Sequence, residues 1–448
     1  MKKAVIILWI FLAGITNCFP QAPSLTLLNS YSLTPNTTDT IGAFARIYYH
    51  QPRNKFYTIY AARPAGSTAP AGILSNFAWR EYDINMNFTG NKGTLFGITG
   101  AGDFACVMVD STYYHLTNLG STTSGILKYK LTKLDDNFTT LATQTIVLGP
   151  HDSNIDQLLN YTNGKLIIGA MLDSSATPPV TPPLPTYNPN VHLFQYDLNL
   201  NPIAVDKVLD PKAYSWGASC IFNAGNYYIL TTNSIATHSL YCYKFDAGFN
   251  YLSTTQISND GQWSQGVLFY GGYFFLAHHT GDHTHGNVSI DIYDNNWNPV
   301  NTTTVTNFVV PTTTGSVSYN AHRPFLLMQG TKLYVSYDLE KYIFPVNQKD
   351  WQAAVKVYQI NGITGVEEQT KSNRQIVFPN PSTDQLNIIT DADKEDIRFE
   401  ISDIIGKRIL SGIGTKADIS ALTPGLYFVK VVDLKSNSLI ESGKFVKE

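Results

Sequence analysis

One hairpin signature recurs along this chain and restricts what it can fold into. It reads YDINMNF from Tyr82, LDDNFTTL from Leu134, YDLNLNP from Tyr196, FDAGFNYL from Phe245 and YDNNWNP from Tyr293. Its aspartates, Asp83, Asp135, Asp197, Asp246 and Asp294, follow one another at 52, 62, 49 and 48 residues. An aspartate at a strand end bonds its own backbone two residues on, and Asn or Gly tolerates the positive φ that such a turn needs. Each copy therefore predicts a tight turn between two strands. A degenerate sixth copy, VYQING, has Gln359 at the aspartate position.

A second anchor precedes each turn: NKFYTIY, STYYHLT, GKLIIGA, GNYYILT, GGYFFLA and TKLYVSY. These short apolar or aromatic runs, several entered through Gly or Asn, read as inner strands that follow a hairpin. Upstream of each lies another short strand, such as ARIYYHQ or ACVMV, and downstream of each turn a Thr-rich one, such as PIAVDKVL. Four strands in about fifty residues, repeated around a ring, predict an all-β fold built as a six-bladed β-propeller. The sixth repeat has no outer strand of its own, whereas residues 24–33, SLTLLNSYSL, resemble the outer strands elsewhere. Pairing the two would remove two open edges at once. A pair of β-sandwiches also explains the alternation, but not the in-phase copies.

Composition agrees with strands and excludes some functions. Charged residues are only 15%, against 27 Tyr and 23 Phe, a mixture that favours β structure over helix. A net charge of -3 with no basic cluster gives no footprint for nucleic acid. At the N-terminus, Lys2 and Lys3 precede AVIILWIFLAGI, which is short for a membrane span and is followed by small and polar residues. It reads as a signal peptide over residues 1–22, and no transmembrane segment is expected after its removal. Asn17 stands where a lipoprotein signal at Cys18 needs a small residue. The other cysteines, Cys106, Cys220 and Cys242, lack CxxC or zinc-type spacing and read as buried hydrophobes.

The propeller is expected over residues 23–362, a polar linker over 363–373, and a separate small β-sandwich over 374–448. The last segment carries Pro379, Asn380 and Pro381 before a strand, Asp403 and Gly406 at a hairpin, Asp418 to Ser420, the Leu422 to Phe428 run and a basic end, Lys444 to Lys447. In that order these residues resemble the C-terminal sorting domain that Bacteroidetes proteins carry for type IX secretion. The resemblance implies the type IX machinery as a partner through residues 374–448, and a secreted or cell-surface location. It implies nothing about a ligand.

In an up-and-down blade, loops entering the innermost strand share one face with loops joining the second and third strands. The entering loops hold Asp103, then His151, Asp152 and Asp156, then Tyr214 and Trp216, then Asp260 and Trp263, then Tyr319, His322 and Arg323. The same face gathers Arg63, Tyr187, Tyr342 and Trp351. Aromatic rings beside carboxylates, imidazoles and an arginine suit a sugar, so Tyr214, Trp216, Trp263, His151, His322 and Arg323 are the expected ligand-binding set. Trp216 and Trp263 serve equally well as packing between blades.

For catalysis, two carboxylates from Asp103, Asp152, Asp156 and Asp260 suit glycoside hydrolysis, and His151 or His322 with Arg323 suits elimination from a uronate. His278, Asp282, His283 and His285 are the densest set of metal-type ligands, yet His278 and His279 point to opposite sides on a strand, and no family spacing supports a metal. No cofactor is implied, since GxSxG, HExxH, P-loop and dinucleotide motifs are all missing. Three roles stay open: binding of an extracellular polysaccharide, its degradation as a hydrolase or lyase, and a surface scaffold or adhesin.

Overall fold

The structure, a computed structural model, describes residues 22–33, 39–41, 45–64, 76–97, 104–121, 127–149, 158–172, 190–208, 219–232, 239–259, 262–281, 286–309, 313–343, 346–363, 376–389, 397–404, 406–434 and 439–448. Residues 1–21 of the expected signal peptide 1–22 and most of the expected linker lie outside them. The chain divides into two compact units, Met1–Val366 and Glu367–Glu448.

The first unit is a six-bladed propeller. Blades 2 to 5 are consecutive four-stranded antiparallel meanders beginning at Phe104–Val109, Leu158–Thr162, Ser219–Asn223 and Gln262–Tyr270. Blade 1 has a divided innermost strand, Asp39–Ile41 and Arg46–His50, both paired to Lys55–Pro64. Blade 6 contains Val317–Gln329, Lys332–Ile343 and Val346–Asn361, and its outer strand is the N-terminal Ser24–Ser32. Ser24 pairs with Asn361 and Ser32 with Ala354. The degenerate sixth copy makes no hairpin: Gln359 stays in the sheet between Thr26 and Lys332, and its strand runs on to Asn361.

The first strand of each blade is innermost. These strands neighbour one another from blade 2 round to blade 1, and Arg46 Nη1 and Tyr48 Oη donate to Cys106 O at 3.3 and 2.6 Å to join blade 1 to blade 2. Second strands are the most buried, through Phe56, Tyr113, Ile167, Ile229, Phe275 and Val335, because both of their faces meet a neighbouring blade. The innermost strands reach the axis, and outer strands such as Tyr251–Ser258 are largely exposed, as Thr-rich sequences tolerate.

The repeated turn differs from its expected form in one respect. In each copy the aspartate carboxylate accepts the N–H groups two and four residues on, for example Asn85 and Asn87 on Asp83 Oδ1 at 2.8 Å. Bonds from Asn87, Asn201 and Asn298 hold Asp83, Asp197 and Asp294 below the usual carboxylate range. The positive φ, however, falls on Met86, Phe138, Leu200, Phe249 and Trp297 rather than on Asn or Gly. These side chains turn back into the core: Phe249 stacks on Tyr227 at 4.1 Å and Trp297 on Phe274 at 4.3 Å. A left-handed L-residue costs about 1–2 kcal/mol, and burying a large apolar side chain returns about 1.5–3 kcal/mol. The same turn recurs at Asp403–Lys407 in the second unit, where Gly406 takes the positive φ and no side chain is planted.

The second unit is a two-sheet sandwich. Val377–Phe378, Gln385–Ile388 and Lys416–Asp418 face the four-stranded sheet Arg408–Ile413, Ile397–Ser402, Gly425–Asp433 and Leu439–Lys447. Leu386 and Ile388 of the first meet Phe399, Val429, Val431 and Phe445 of the second. Asn380 explains the Pro-Asn-Pro motif: its Oδ1 accepts from Val446 N at 2.9 Å and its Nδ2 donates to Lys444 O at 3.2 Å. The side chain thus stands in for a neighbouring strand along the edge of the last one.

Trp297→Ala removes a stacked, buried anchor and is expected to lower unfolding stability by about 3–5 kcal/mol in a urea titration. A change below about 1 kcal/mol would show that the aspartate bonds alone hold the turn.

Candidate functional site

The innermost strand of blade 6 breaks its own regularity where the polar residues gather. His322 and Arg323 are consecutive, so a regular strand would send them to opposite faces. The register slips between His322 and Phe325, and Arg323 has φ +48°. Both side chains consequently approach carboxylates two residues apart on the next strand: His322 Nε2 lies 3.4 Å from Glu340 Oε2, and Arg323 Nη1 lies 3.7 Å from Asp338 Oδ2. Asp338 is fully buried, whereas the Arg323 side chain keeps 16% of its surface. Its other oxygen accepts from Ala45 N at 2.9 Å, and Ser336 Oγ donates to Ala45 O. This carboxylate therefore fixes both Arg323 and the start of blade 1, placing Arg46 beside it in the chain. The Arg46 guanidinium lies 5.5 Å from the Phe325 ring centre, a cation-π contact across the two inner strands.

Blade 5 closes the other side. His279 is parallel to His322, with ring centres 5.2 Å apart. Its Nε2 lies 3.4 Å from Asn320 Oδ1, which also accepts from Gly286 N at 2.6 Å. A Cβ on Gly286 would stand 1.7 Å from His279 Nε2, so only glycine admits the ring. His278 points away, to Asp291 Oδ2 at 2.8 Å. Burial raises the Asp291 carboxyl, but bonds from His278, Thr302 and Tyr293 outweigh it and hold the group below the usual aspartate range. On the second strand of blade 2, burial and the nearby Arg46 and Lys130 push the His115 imidazole down to about 3, which keeps it neutral.

Of the expected ligand-binding set, the structure brings His322 and Arg323 together. Trp263 lies in Gln262–Tyr270, and its side chain is outside the described residues, as are those of Arg63, Tyr342 and Trp351. Asp103, His151, Asp152, Asp156, Tyr187, Tyr214, Trp216, Asp260, Asp282, His283 and His285 also lie outside them. Tyr319 packs on Phe308 at 5.5 Å. The segment Ser318–Pro324, expected as a loop entering an inner strand, is itself strand. Sequence reading missed Arg46, Asp338, Glu340 and Asn320 as site residues, because nothing in the sequence alone marks which polar strand residues face inward. Among the described residues, no three His, Cys, Asp or Glu side chains could hold a metal ion.

Residues 376–448 match the secretion system C-terminal sorting domain family. The tail is a type IX sorting domain. This sorting domain marks the protein as secreted or attached at the outer surface, and no helix among the described residues is long and apolar enough to cross a membrane. No curated protein sequence matches the chain. Similar solved structures include the subtype N10 neuraminidase-like protein of A/little yellow-shouldered bat/Guatemala, with 6% identity, a TM-score of 0.44, and 75% of this chain and 100% of that one covered. A neuraminidase-like protein from A/bat/Guatemala has 10% identity and a TM-score of 0.48 over 77% and 95%. A mutant of Trypanosoma rangeli sialidase displaying trans-sialidase activity has 9% identity and a TM-score of 0.44 over 76% and 60%. These are likenesses of fold.

Asp338→Ala removes the partner of Arg323 and the acceptor for Ala45, and is expected to cost about 3–5 kcal/mol of stability. Asp338→Asn keeps an acceptor and should cost about 1–3 kcal/mol. Denaturant titration of both variants checks the order, and equal losses would show that the charge facing Arg323, rather than the backbone bond, is what matters.

Proposed function

We propose that the exported propeller binds an acidic extracellular glycan on the face where its inner strands begin. The observation that carries this reading is Arg323, held at φ +48° inside a bulge beside the buried Asp338. A left-handed Arg costs about 1–2 kcal/mol, and such outliers persist where surrounding contacts impose them, commonly at binding sites. Asp338 orients the guanidinium without enclosing it. The planar fork suits a uronate carboxylate or a sulfate ester, and Arg46 adds positive charge nearby. Tyr214, Trp216 and Trp263 are the proposed stacking partners for the sugar face, and His151 joins the polar set.

A second reading, degradation of the same glycan, is favoured by one contact, His322 Nε2 to Glu340 Oε2 at 3.4 Å. An ionisable couple next to an arginine is the minimum for proton transfer at a carbon or oxygen beside a neutralised carboxylate. Asp103, Asp152, Asp156 and Asp260 are the further candidates for a hydrolytic pair.

The test follows retention and new chain ends together, with the full chain on uronate-containing, sulfated and neutral polysaccharides. Retention of acidic glycans without new ends supports binding, whereas reducing or unsaturated ends support the enzyme. Arg323→Gln should weaken retention by about 10- to 100-fold, the worth of one charged hydrogen bond. Retention of neutral glycans as strong as that of acidic ones would overturn the arginine reading. Silence with every glycan would favour a scaffold or adhesin.

A further inference from the structure

We propose that the outer face of the four-stranded sheet in the sorting domain is the surface that docks on the export machinery, and that its partner is apolar at the centre and acidic at the rim. The sheet buries Tyr427, Val429, Val431 and Phe445 against the other sheet, and strand alternation turns the intervening residues outward. At one end these are apolar. Leu426 pairs with Val446 and Phe428 is next along the strand, with 41%, 41% and 39% of their surfaces exposed. Ile404, in the turn that follows Ile397–Ser402, is 69% exposed.

The same face is basic. Lys444 pairs with Phe428, Lys430 pairs with Glu400, and Arg398 and Arg408 lie 3.2 and 3.5 Å from Glu400. Lys444, Lys430, Arg398 and Arg408 around the single carboxylate of Glu400 make this part of the face basic, although the whole chain carries -3. Contiguous exposed apolar side chains within a charged rim mark interaction sites, and complementary charge selects the partner. The family match supplies the occupant, because a sorting domain acts by being recognised. The Asn380 bonds along the edge of the last strand leave its face, rather than that edge, as the accessible feature.

The test expresses the full chain in a bacterium with a type IX system and compares surface plus medium with periplasm. Phe428→Asp is expected to reduce export about tenfold while the melting temperature of the purified protein stays unchanged. Phe378→Asp, at an exposed apolar position of the other sheet, should be exported normally. If Phe428→Asp misfolds, Phe428→Ser and Lys444→Gln decide, and both should reduce export with the fold retained. Wild-type export of the folded Phe428 and Lys444 variants overturns the proposal. So does equal loss of export by Phe378→Asp, or a dimer in sedimentation that Phe428→Asp dissolves without changing export.

Discussion

The pairing of Ser24–Ser32 with Val346–Asn361 is the contact on which the propeller depends. Each blade buries its second strand only because a blade stands on either side, so an open ring would expose two apolar faces. The N-terminal strand closes the ring with the parts of the sequence that lie furthest apart. Asn361 Nδ2 bonds Thr26 Oγ1 at 2.9 Å and Asn301 Nδ2 bonds Pro23 O at 3.1 Å, so the same strand also touches blade 5. Closure of this kind pays a long loop entropy once and then makes every blade an interior one.

Within that ring, polar chemistry collects where the inner strands of blades 5, 6 and 1 meet. Asp338 is central to it because one carboxylate satisfies a backbone N–H of the next blade and faces a guanidinium. A fully buried aspartate is costly unless its charge and lone pairs are matched, and here Arg323 matches the charge within blade 6 while Ala45 N matches a lone pair across the blade boundary. Gly286 does a comparable job through its missing side chain, by leaving room for His279. The site is therefore supported by packing between blades, and its side chains are locked by residues that never reach the surface.

The two units use one turn in two ways. At Asp403–Lys407 glycine takes the left-handed position and the turn simply reverses the chain. In the blades a large side chain takes it, and the turn becomes an anchor. Five anchors at one end of the blades give the repeat its persistence even though the loops between copies vary in length. In the sorting domain, Asn380 performs with one amide what a further strand would otherwise do, which relates the Pro-Asn-Pro motif to the integrity of the last strand.

The sequence by itself determined the repeat, the blade number, the closing strand and the sorting tail. Each is carried by local chemistry: an aspartate that bonds its own turn, alternation along strands, and a motif with its order preserved. His322 and Arg323 were legible as candidates because they sit before an inner strand. Asp338, Glu340, Asn320 and Arg46 were not, because inside a strand a charged residue reads like any outward-facing one until its neighbours are known. The left-handed position was misplaced for the same reason: local propensity favours Asn or Gly there, and only burial against the adjoining strands offsets the strain of Trp297 or Phe249. Tertiary structure decided these points because they depend on residues brought together from different strands and, for Ala45, Arg46 and His279, from different blades, through contacts that no sequence interval records.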